Sequence, residues 1–144
     1  ALEDVSLVVN RGEIVGISGL EGQGQGELLL ALFGVFAGVR GEVRIGDRAL
    51  RPGGPGDAMR AGLALIPEDR KTQGLVLPLT VRENVTIASL GALASGGVVQ
   101  AAREREQTAD MVRRLAIKTA SQETPVRFLS GGNQQKCAIA KWLM

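Results

Sequence analysis

The chain has 144 residues, of which 44% are hydrophobic and 22% charged, and this composition is typical of one folded globular domain. The net charge of +2 and the 3% of aromatic residues argue against a nucleic-acid-binding surface. The absence of His, with a single Cys137, argues against a zinc site, and we expect no metal bound by the chain itself.

Residues 13–34 predict a buried strand, a glycine-rich loop and a helix, in that order. The strand prediction rests on the β-branched residues Ile14, Val15 and Ile17. The helix is expected to end at Gly34, a typical C-cap residue. This order of elements is typical of a phosphate-binding loop, in which backbone N–H groups and a helix N-terminus hold the anion.

The loop has the glycine spacing of a P-loop without its charged and metal-binding residues. Gln25 stands where the consensus has Lys, and Gly26 stands where it has the hydroxyl that binds Mg²⁺. We therefore predict weak phosphate binding without hydrolysis at a degenerate loop formed by Gly19, Gly22, Gly24, Gln25, Gly26 and Glu27. A simple tight connection is the alternative, whereas a dinucleotide-binding fingerprint fits less well because it needs Gly or Ala in place of Glu27.

The rest of the first half predicts short strands and turns. Strands are expected at residues 4–9 and 63–66, and a hairpin around the two-residue turn Gly46-Asp47. Asp57 is expected to cap a short helix that ends at Ala61.

The pattern changes from strand-rich to helix-rich after Pro67. A charged run at residues 68–71 is by default a solvated surface. Thr80 and Glu83 have the spacing of a capping box for a helix over 81–90. A small-residue loop at 91–97 and a helix over 100–117 follow. The predicted core face of the second helix consists of Ala102, Ala109, Val112 and Leu115 or Ala116.

The last helix is predicted to begin at Ser130, within the octet LSGGNQQK at residues 129–136. Its two glycines allow another molecule to approach the first turn closely. A capped surface helix explains Ser130 but not the whole octet. The octet resembles the signature motif of ABC-transporter ATPase domains, and the signature residues that this resemblance implies are Leu129, Ser130, Gly131, Gly132, Asn133 and Gln134.

Three stretches together resemble the second ATPase half of sugar importers of the ribose, galactose and xylose type. They are GLEGQGQGELLLALFG at residues 19–34, LALIPEDRKTQGLVLPLTVRENVTIASL at 63–90 and LSGGNQQKCAIAKWLM at 129–144. The second stretch places Glu68 at the Q-loop position. The first departs from the Arg-Thr-Glu or Arg-Ser-Glu that this half commonly carries, since Gln25-Gly26 is more degenerate.

The resemblance implies an α/β fold, a partial RecA-like P-loop NTPase with a small antiparallel β portion and a helical subdomain. Residues 1–144 would form a single truncated domain: a β-rich part with the degenerate loop at 1–71, a helical subdomain at 72–128, and the signature with the start of its helix at 129–144. By this resemblance the chain is a fragment that ends before the Walker B strand, the catalytic Glu, the D-loop and the switch His. No catalytic residue is then expected within it, and Glu68 takes the Q-loop position.

The implied function is that of an ATPase subunit that couples ATP binding and hydrolysis to sugar uptake. Its signature would complete a partner's ATP site in trans, with ATP and Mg²⁺ as cofactors of the assembled transporter and none expected on this chain alone. The implied partners are the first ATPase half, a membrane permease and, indirectly, an extracytoplasmic sugar-binding protein, but no nucleic acid. The implied location is peripheral, on the cytoplasmic face of the bacterial inner membrane.

Two further readings remain open. The chain could be a non-catalytic scaffold of the transporter that binds no useful nucleotide, which Gln25-Gly26 favours for the local loop. A generic P-loop GTPase or kinase is a distant third, because neither carries a signature octet. The residues do not identify the sugar.

Overall fold

Short helices and two small β-hairpins make up the regular structure of the chain. The computed structural model describes residues 3–20, 22–50 and 53–144, and these form two compact units, Ala1–Leu65 and Ile66–Met144. The elements in chain order are α1 (Gln25–Leu32), β1 (Val43–Ile45), β2 (Arg48–Leu50), α2 (Pro55–Arg60), a π-turn (Arg70–Gly74), α3 (Val81–Thr86), α4 (Leu90–Leu93), β3 (Ala94–Ser95), β4 (Val98–Val99), α5 (Ala101–Arg114), a 3₁₀ turn (Val126–Phe128) and α6 (Gly131–Leu143). The mixture places the fold in the α/β class.

In the first unit, α1 ends at the predicted glycine. Gly34 has a φ of +80°, and its N–H donates to the carbonyl of Ala31 at 3.0 Å. The next N–H, that of Val35, donates to Leu30 at 2.9 Å. This pair of bonds is the Schellman closure, and it needs a left-handed residue that glycine adopts without strain. The predicted C-cap is therefore confirmed.

The hairpin of the first unit has the predicted two-residue turn. Strands β1 and β2 are antiparallel, and Ile45 is paired with Arg48 across Gly46-Asp47. Gly46 has a φ of +58°, while Asp47 has a negative φ. A positive φ at the first central residue alone is the pattern of a type II′ turn, whose twist matches that of the paired strands.

Helix α2 begins earlier than the sequence predicts, and Asp57 is not its N-cap. Gly54 holds that position and Pro55 is the first helical residue. Proline suits this place because its φ is fixed and its missing N–H would have no partner there. The Asp57 carboxylate instead accepts a hydrogen bond from the N–H of Gly53 at 2.8 Å.

The strands predicted at residues 4–9, 14–18 and 63–66 are not formed. Their backbones make no strand pairs with any of the described residues. The side chain of Ile14, predicted to be buried, is 98% exposed, and that of Val8 is 78% exposed. A strand is stabilised by hydrogen bonds to a neighbour, and the described residues supply no neighbour for these segments. The prediction of a buried central strand is therefore wrong for this structure.

The second unit is built around the packing of α3, α5 and α6. Its buried core consists of Leu75, Val81, Val85, Met111, Ile117, Val126, Cys137, Ala138 and Ala140. The predicted capping box at the start of α3 is confirmed: the side chain of Thr80 accepts from the N–H of Glu83, and the Glu83 carboxylate accepts from the N–H of Thr80 at 2.8 Å. Helix α3 ends at Thr86 rather than Leu90, and α4 with the β3–β4 hairpin replaces most of the predicted loop.

Helix α5 buries a different face from the predicted one. Glu104, Thr108 and Met111 are buried, whereas Ala102 and Ala116 are exposed and Ala109, Val112 and Leu115 are partly buried. The prediction assumed that charged residues face solvent. Glu104 is an exception because Arg82 and Thr86 both donate hydrogen bonds to its carboxylate, at 2.6 and 2.9 Å. A buried charge is tolerated when it is paired in this way.

Candidate functional site

The predicted site residues fall into two groups, one in each unit. The loop residues 19–27 belong to the Ala1–Leu65 unit, while Glu68 and the signature residues belong to the Ile66–Met144 unit. None of the helices in the described ranges has the length and apolar character needed to cross a bilayer.

The side chain of Gln25 is folded onto the backbone of its own loop. Its Nε2 donates to the carbonyl of Leu20 at 3.4 Å, and the side-chain oxygen of Gln23 accepts from the N–H of Leu20 at 3.2 Å. A Cβ added at Gly19 would lie 2.1 Å from Gln25 Nε2, so a larger residue there would displace the end of the Gln25 side chain. Gln25 thus occupies the Lys position but is bonded to the loop itself.

The backbone of the loop retains a cradle at the start of α1. Gly22 and Gly24 have φ values of +80° and +102°, which turn the chain into the helix. In the described ranges, the first-turn amides of Gln25, Gly26 and Glu27 have no hydrogen-bond acceptor. Free amides at a helix N-terminus attract an anion. The geometry therefore retains weak attraction for phosphate.

The side chains of this loop do not fit Mg·ATP. Gln25 carries no charge, Gly26 has no side chain that could bind a metal, and the exposed carboxylate of Glu27 repels a polyphosphate. No cluster of three or more acidic, His or Cys side chains that could hold a metal is present in the part of the chain that the structure describes. The loop supplies backbone donors without a cation or a metal ligand.

Glu68 lies on a short segment that leads into the π-turn. Its side chain is exposed and has no hydrogen-bond partner in the described part of the chain. The next residue, Asp69, begins the π-turn: its carboxylate accepts from the N–H of Lys71 at 2.8 Å and from the hydroxyl of Thr72 at 2.7 Å. These bonds, that from Thr72 first, lower the pKa of Asp69 below its usual value. Glu68 is therefore an exposed carboxylate next to a residue whose side chain is bonded into the turn.

The signature residues form the N-terminus of α6, with Ser130 at the N-cap position. The Ser130 side chain does not accept a backbone N–H, contrary to the predicted cap. Its Oγ accepts instead from Nδ2 of Asn133 at 2.9 Å. Because Oγ accepts from an amide N–H, the hydroxyl proton remains available for donation to a second group.

Two side chains fix the start of α6, and the two glycines that precede them are exposed. The Oδ1 of Asn133 accepts from the N–H of Lys118 at 2.9 Å. The buried side chain of Gln134 donates to the carbonyl of Val126 at 3.2 Å. Ser130, Gly131 and Gly132 lie on the surface, and the first-turn amides have no acceptor among residues 53–144. This first turn fits a phosphate oxygen that approaches from outside the chain.

Two further charged residues, Arg70 and Lys141, make contacts at α6 that no sequence pattern predicts. The guanidinium of Arg70 lies against Gly131, because a Cβ added at Gly131 would be 2.6 Å from Arg70 Nη2. Lys141 donates from Nζ to the carbonyl of Gly74 at 2.9 Å. Both contacts join residues far apart in the chain. Neither the charged run that contains Arg70 nor the helical position of Lys141 predicts such a contact.

Comparisons with known proteins agree with the motif resemblance. Residues 2–144 match the protein family described as ABC transporter. The chain is 57% identical over 145 residues to "Ribose import ATP-binding protein RbsA 1" of Mesorhizobium japonicum, a match that covers 99% of this chain and 28% of that protein. It is 46% identical over 143 residues to "Ribose import ATP-binding protein RbsA" of Bacillus subtilis, which covers 99% of this chain and 29% of that protein. The chain thus spans somewhat more than a quarter of the length of these relatives. No solved structure matches it.

Proposed function

We propose, from the premise that the chain belongs to the ABC transporter family, that it is part of the energising subunit of a sugar importer. Within that subunit we place it in the second of two ATPase halves, on the motif resemblance. The names of its relatives favour ribose as the sugar that the importer carries. ATP and Mg²⁺ would be bound by the assembled transporter.

The observation that carries the proposal is the contrast between the two helix N-termini. At α6 the amides of Gly131 and Gly132 are exposed and free, and Ser130 Oγ accepts from Asn133 so that its proton can be donated. At the N-terminus of α1, the Gln25 side chain is bonded to its own loop and the Glu27 carboxylate is exposed. The α6 end favours a phosphate held by another chain or domain, whereas the α1 end has neither a positively charged side chain nor a metal ligand.

The proposed role of the signature residues is therefore to complete a partner's ATP site in trans. The Ser130 hydroxyl and the first-turn amides would donate to the terminal phosphate, which the α6 dipole also favours. Asn133 would orient the Ser130 hydroxyl, and Gln134 would hold the turn on Val126. Each of these roles is a hydrogen bond that a residue of this chain makes.

The partners in this proposal are the first ATPase half, whose nucleotide meets the signature, and a membrane permease. An extracytoplasmic sugar-binding protein would act through that permease. We place the chain at the cytoplasmic face of the inner membrane as a peripheral component. Glu68 would hold the Q-loop position in the second unit.

A scaffold role without any nucleotide contact is the second candidate. The observation in its favour is Gln25, whose amide group is bonded to Leu20 where a P-loop would present a cation. Under this alternative neither the loop nor the signature would affect ATP turnover, and both would matter only for assembly.

The test compares Ser130→Arg with Gln25→Ala in the full-length importer. Ser130→Arg places a bulky cation at the helix N-terminus and blocks close approach of a phosphate, so ATP hydrolysis and ribose uptake should be lost. Gln25→Ala should leave both nearly unchanged, because the Gln25 amide carries no charge and is bonded to Leu20 within its own loop. Equal amounts of assembled importer serve as the control. Activity lost with Gln25→Ala and kept with Ser130→Arg would reverse the assignment, and activity kept in both would support the scaffold.

A further inference from the structure

The π-turn lies alongside α6 and contacts this helix near both ends of the helix. At one end the guanidinium of Arg70 lies against Gly131, with Nη2 2.6 Å and Cζ 3.6 Å from a Cβ placed there. At the other end Lys141 Nζ donates to the Gly74 carbonyl at 2.9 Å. Residues 131 and 141 are about 15 Å apart along a helix, and the Lys side chain extends back toward the N-terminus. The two contacts therefore hold the turn along much of α6.

The turn is itself a closed structure rather than a loose connection. Asp69 accepts from the backbone and side chain of the residues that follow it. A Cβ added at Gly74 would meet Pro67 Cγ at 3.3 Å and Arg70 Cβ at 3.4 Å, so the segment 67–74 is folded tightly on itself. A displacement of one end of this turn would therefore be transmitted to the other.

Lys141 makes the polar connection between the turn and the helix. The bond from its Nζ to the Gly74 carbonyl joins residues 70–74 to α6. The ammonium group is half-buried and lies 5.1 Å from the centre of the Trp142 ring. Burial lowers the pKa of the Lys141 ammonium group below its ordinary value. A charge-assisted bond in a half-buried place is stronger than a neutral bond on the surface.

We infer that Lys141 is a positioning residue that docks the π-turn on α6, so that Glu68 and the Ser130 end of the helix move as one piece. The inference rests on the proposed function, in which the Ser130 end meets a partner's nucleotide. A nucleotide that orders the first turn of α6 then also orders the segment that carries Glu68, and by linkage a contact at Glu68 alters affinity at Ser130. Lys141 itself touches neither ligand.

The experiment measures amide hydrogen exchange in the full-length importer, with and without Mg·ATP and orthovanadate as the probe. Lys141→Met removes the ammonium group and keeps the apolar stem, and Lys141→Arg keeps a cation that can reach the carbonyl. Lys136→Met is a matched control, because Lys136 also lies on α6 and donates to a backbone carbonyl, that of Ala116, at 2.8 Å. Peptides over residues 68–76 and 130–136 report the two ends of the connection.

Without nucleotide, Lys141→Met should speed exchange in residues 70–76 about tenfold, which corresponds to about 1.4 kcal/mol. Lys136→Met should leave these residues unchanged. With nucleotide, the wild-type protein should gain protection from exchange in both peptides. Lys141→Met should gain protection only in the peptide over 130–136, and Lys141→Arg should gain it in both peptides, as the wild type does.

Unchanged exchange of residues 70–76 in Lys141→Met would overturn the inference. Equal effects of Lys141→Met and Lys136→Met on the exchange rate of these residues would also overturn it, as would failure of Lys141→Arg to restore their protection. The proposed function fails in a different way, through the absence of nucleotide-dependent protection of residues 130–136 in the wild-type importer. In that case the nucleotide-free exchange rates still decide whether Lys141 docks the turn.

Discussion

Arg82 donates from Nη1 to the carboxylate of Glu104 at 2.6 Å and connects α3 to α5 in the interior of the second unit. The Glu104 side chain is nearly buried, and the same Arg82 donates from Nε to the more exposed Glu123 at 2.8 Å. One guanidinium thus joins two helices and the segment before the 3₁₀ turn. A buried carboxylate without such a partner would be strongly unfavourable.

Replacing Arg82 should therefore destabilise the second unit far more than replacing an exposed arginine. Arg82→Met leaves the Glu104 charge buried without its cation, and breaking a buried pair costs about 3–5 kcal/mol. Arg113→Met is the matched control, because Arg113 pairs with Asp110 at 3.0 Å on the surface. An exposed pair contributes about 1 kcal/mol or less. Urea unfolding monitored by Trp142 fluorescence gives both values, and similar midpoints for the two variants would contradict the buried role.

Acid should weaken the second unit through carboxylates with lowered pKa values, among them Glu83 and Glu123. The side-chain hydrogen bond from Arg82 lowers the pKa of Glu123, and the backbone N–H of Thr80 lowers that of Glu83. A folded-state pKa below the unfolded value of 4.5 gives stability that is present above pH 4.5 and is lost as the pH falls through the folded-state values.

Urea midpoints measured between pH 7 and pH 3 should thus be level down to about pH 5 and then fall. The double variant Glu83→Gln/Glu123→Gln should be less stable at pH 7 and should show a smaller fall. A midpoint that rises with acidification in the wild-type chain would show that these carboxylates are not stabilised by folding.

Restoring the missing cation and hydroxyl should increase ATP binding by the degenerate loop. In Gln25→Lys/Gly26→Ser an ammonium replaces a neutral amide that is bonded to Leu20, and a hydroxyl is added where none exists. A hydrogen bond to a charged group contributes about 1.5–3 kcal/mol, which corresponds to roughly 10–150-fold in affinity. Titration of each protein with Mg·ATP by calorimetry measures the difference. Micromolar binding by the unmodified loop would show that its backbone amides suffice.

Cys137 should be unreactive until the second unit unfolds. The thiol is buried in the core, and burial raises its pKa to about 11. The reactive thiolate is therefore scarce at neutral pH as well as inaccessible. The rate of reaction with Ellman's reagent at pH 8 should be slow in buffer and should rise with urea at the unfolding midpoint. Rapid modification of the folded chain would contradict this packing.

The sequence by itself determined those features that depend on a few neighbouring residues. The Gly34 closure of α1, the turn at Gly46 and the capping box of Thr80 and Glu83 all follow from local backbone preferences and short-range hydrogen bonds. The motif resemblance likewise depends on contiguous residues, and the match to the ABC transporter family agrees with it. Whether the predicted loop and signature residues bind nucleotide is still a prediction.

Tertiary structure decided what depends on distant partners. Ile14 lies in a segment with strand-forming sequence, yet it is 98% exposed because no described segment pairs with it. Glu104 faces the core of α5 because Arg82 and Thr86, about twenty residues earlier in the chain, donate to its carboxylate. The contacts of Lys141 with Gly74 and of Arg70 with Gly131 join residues some sixty apart. Such pairings have no local pattern, since their energy exists only once the chain has brought the two groups together.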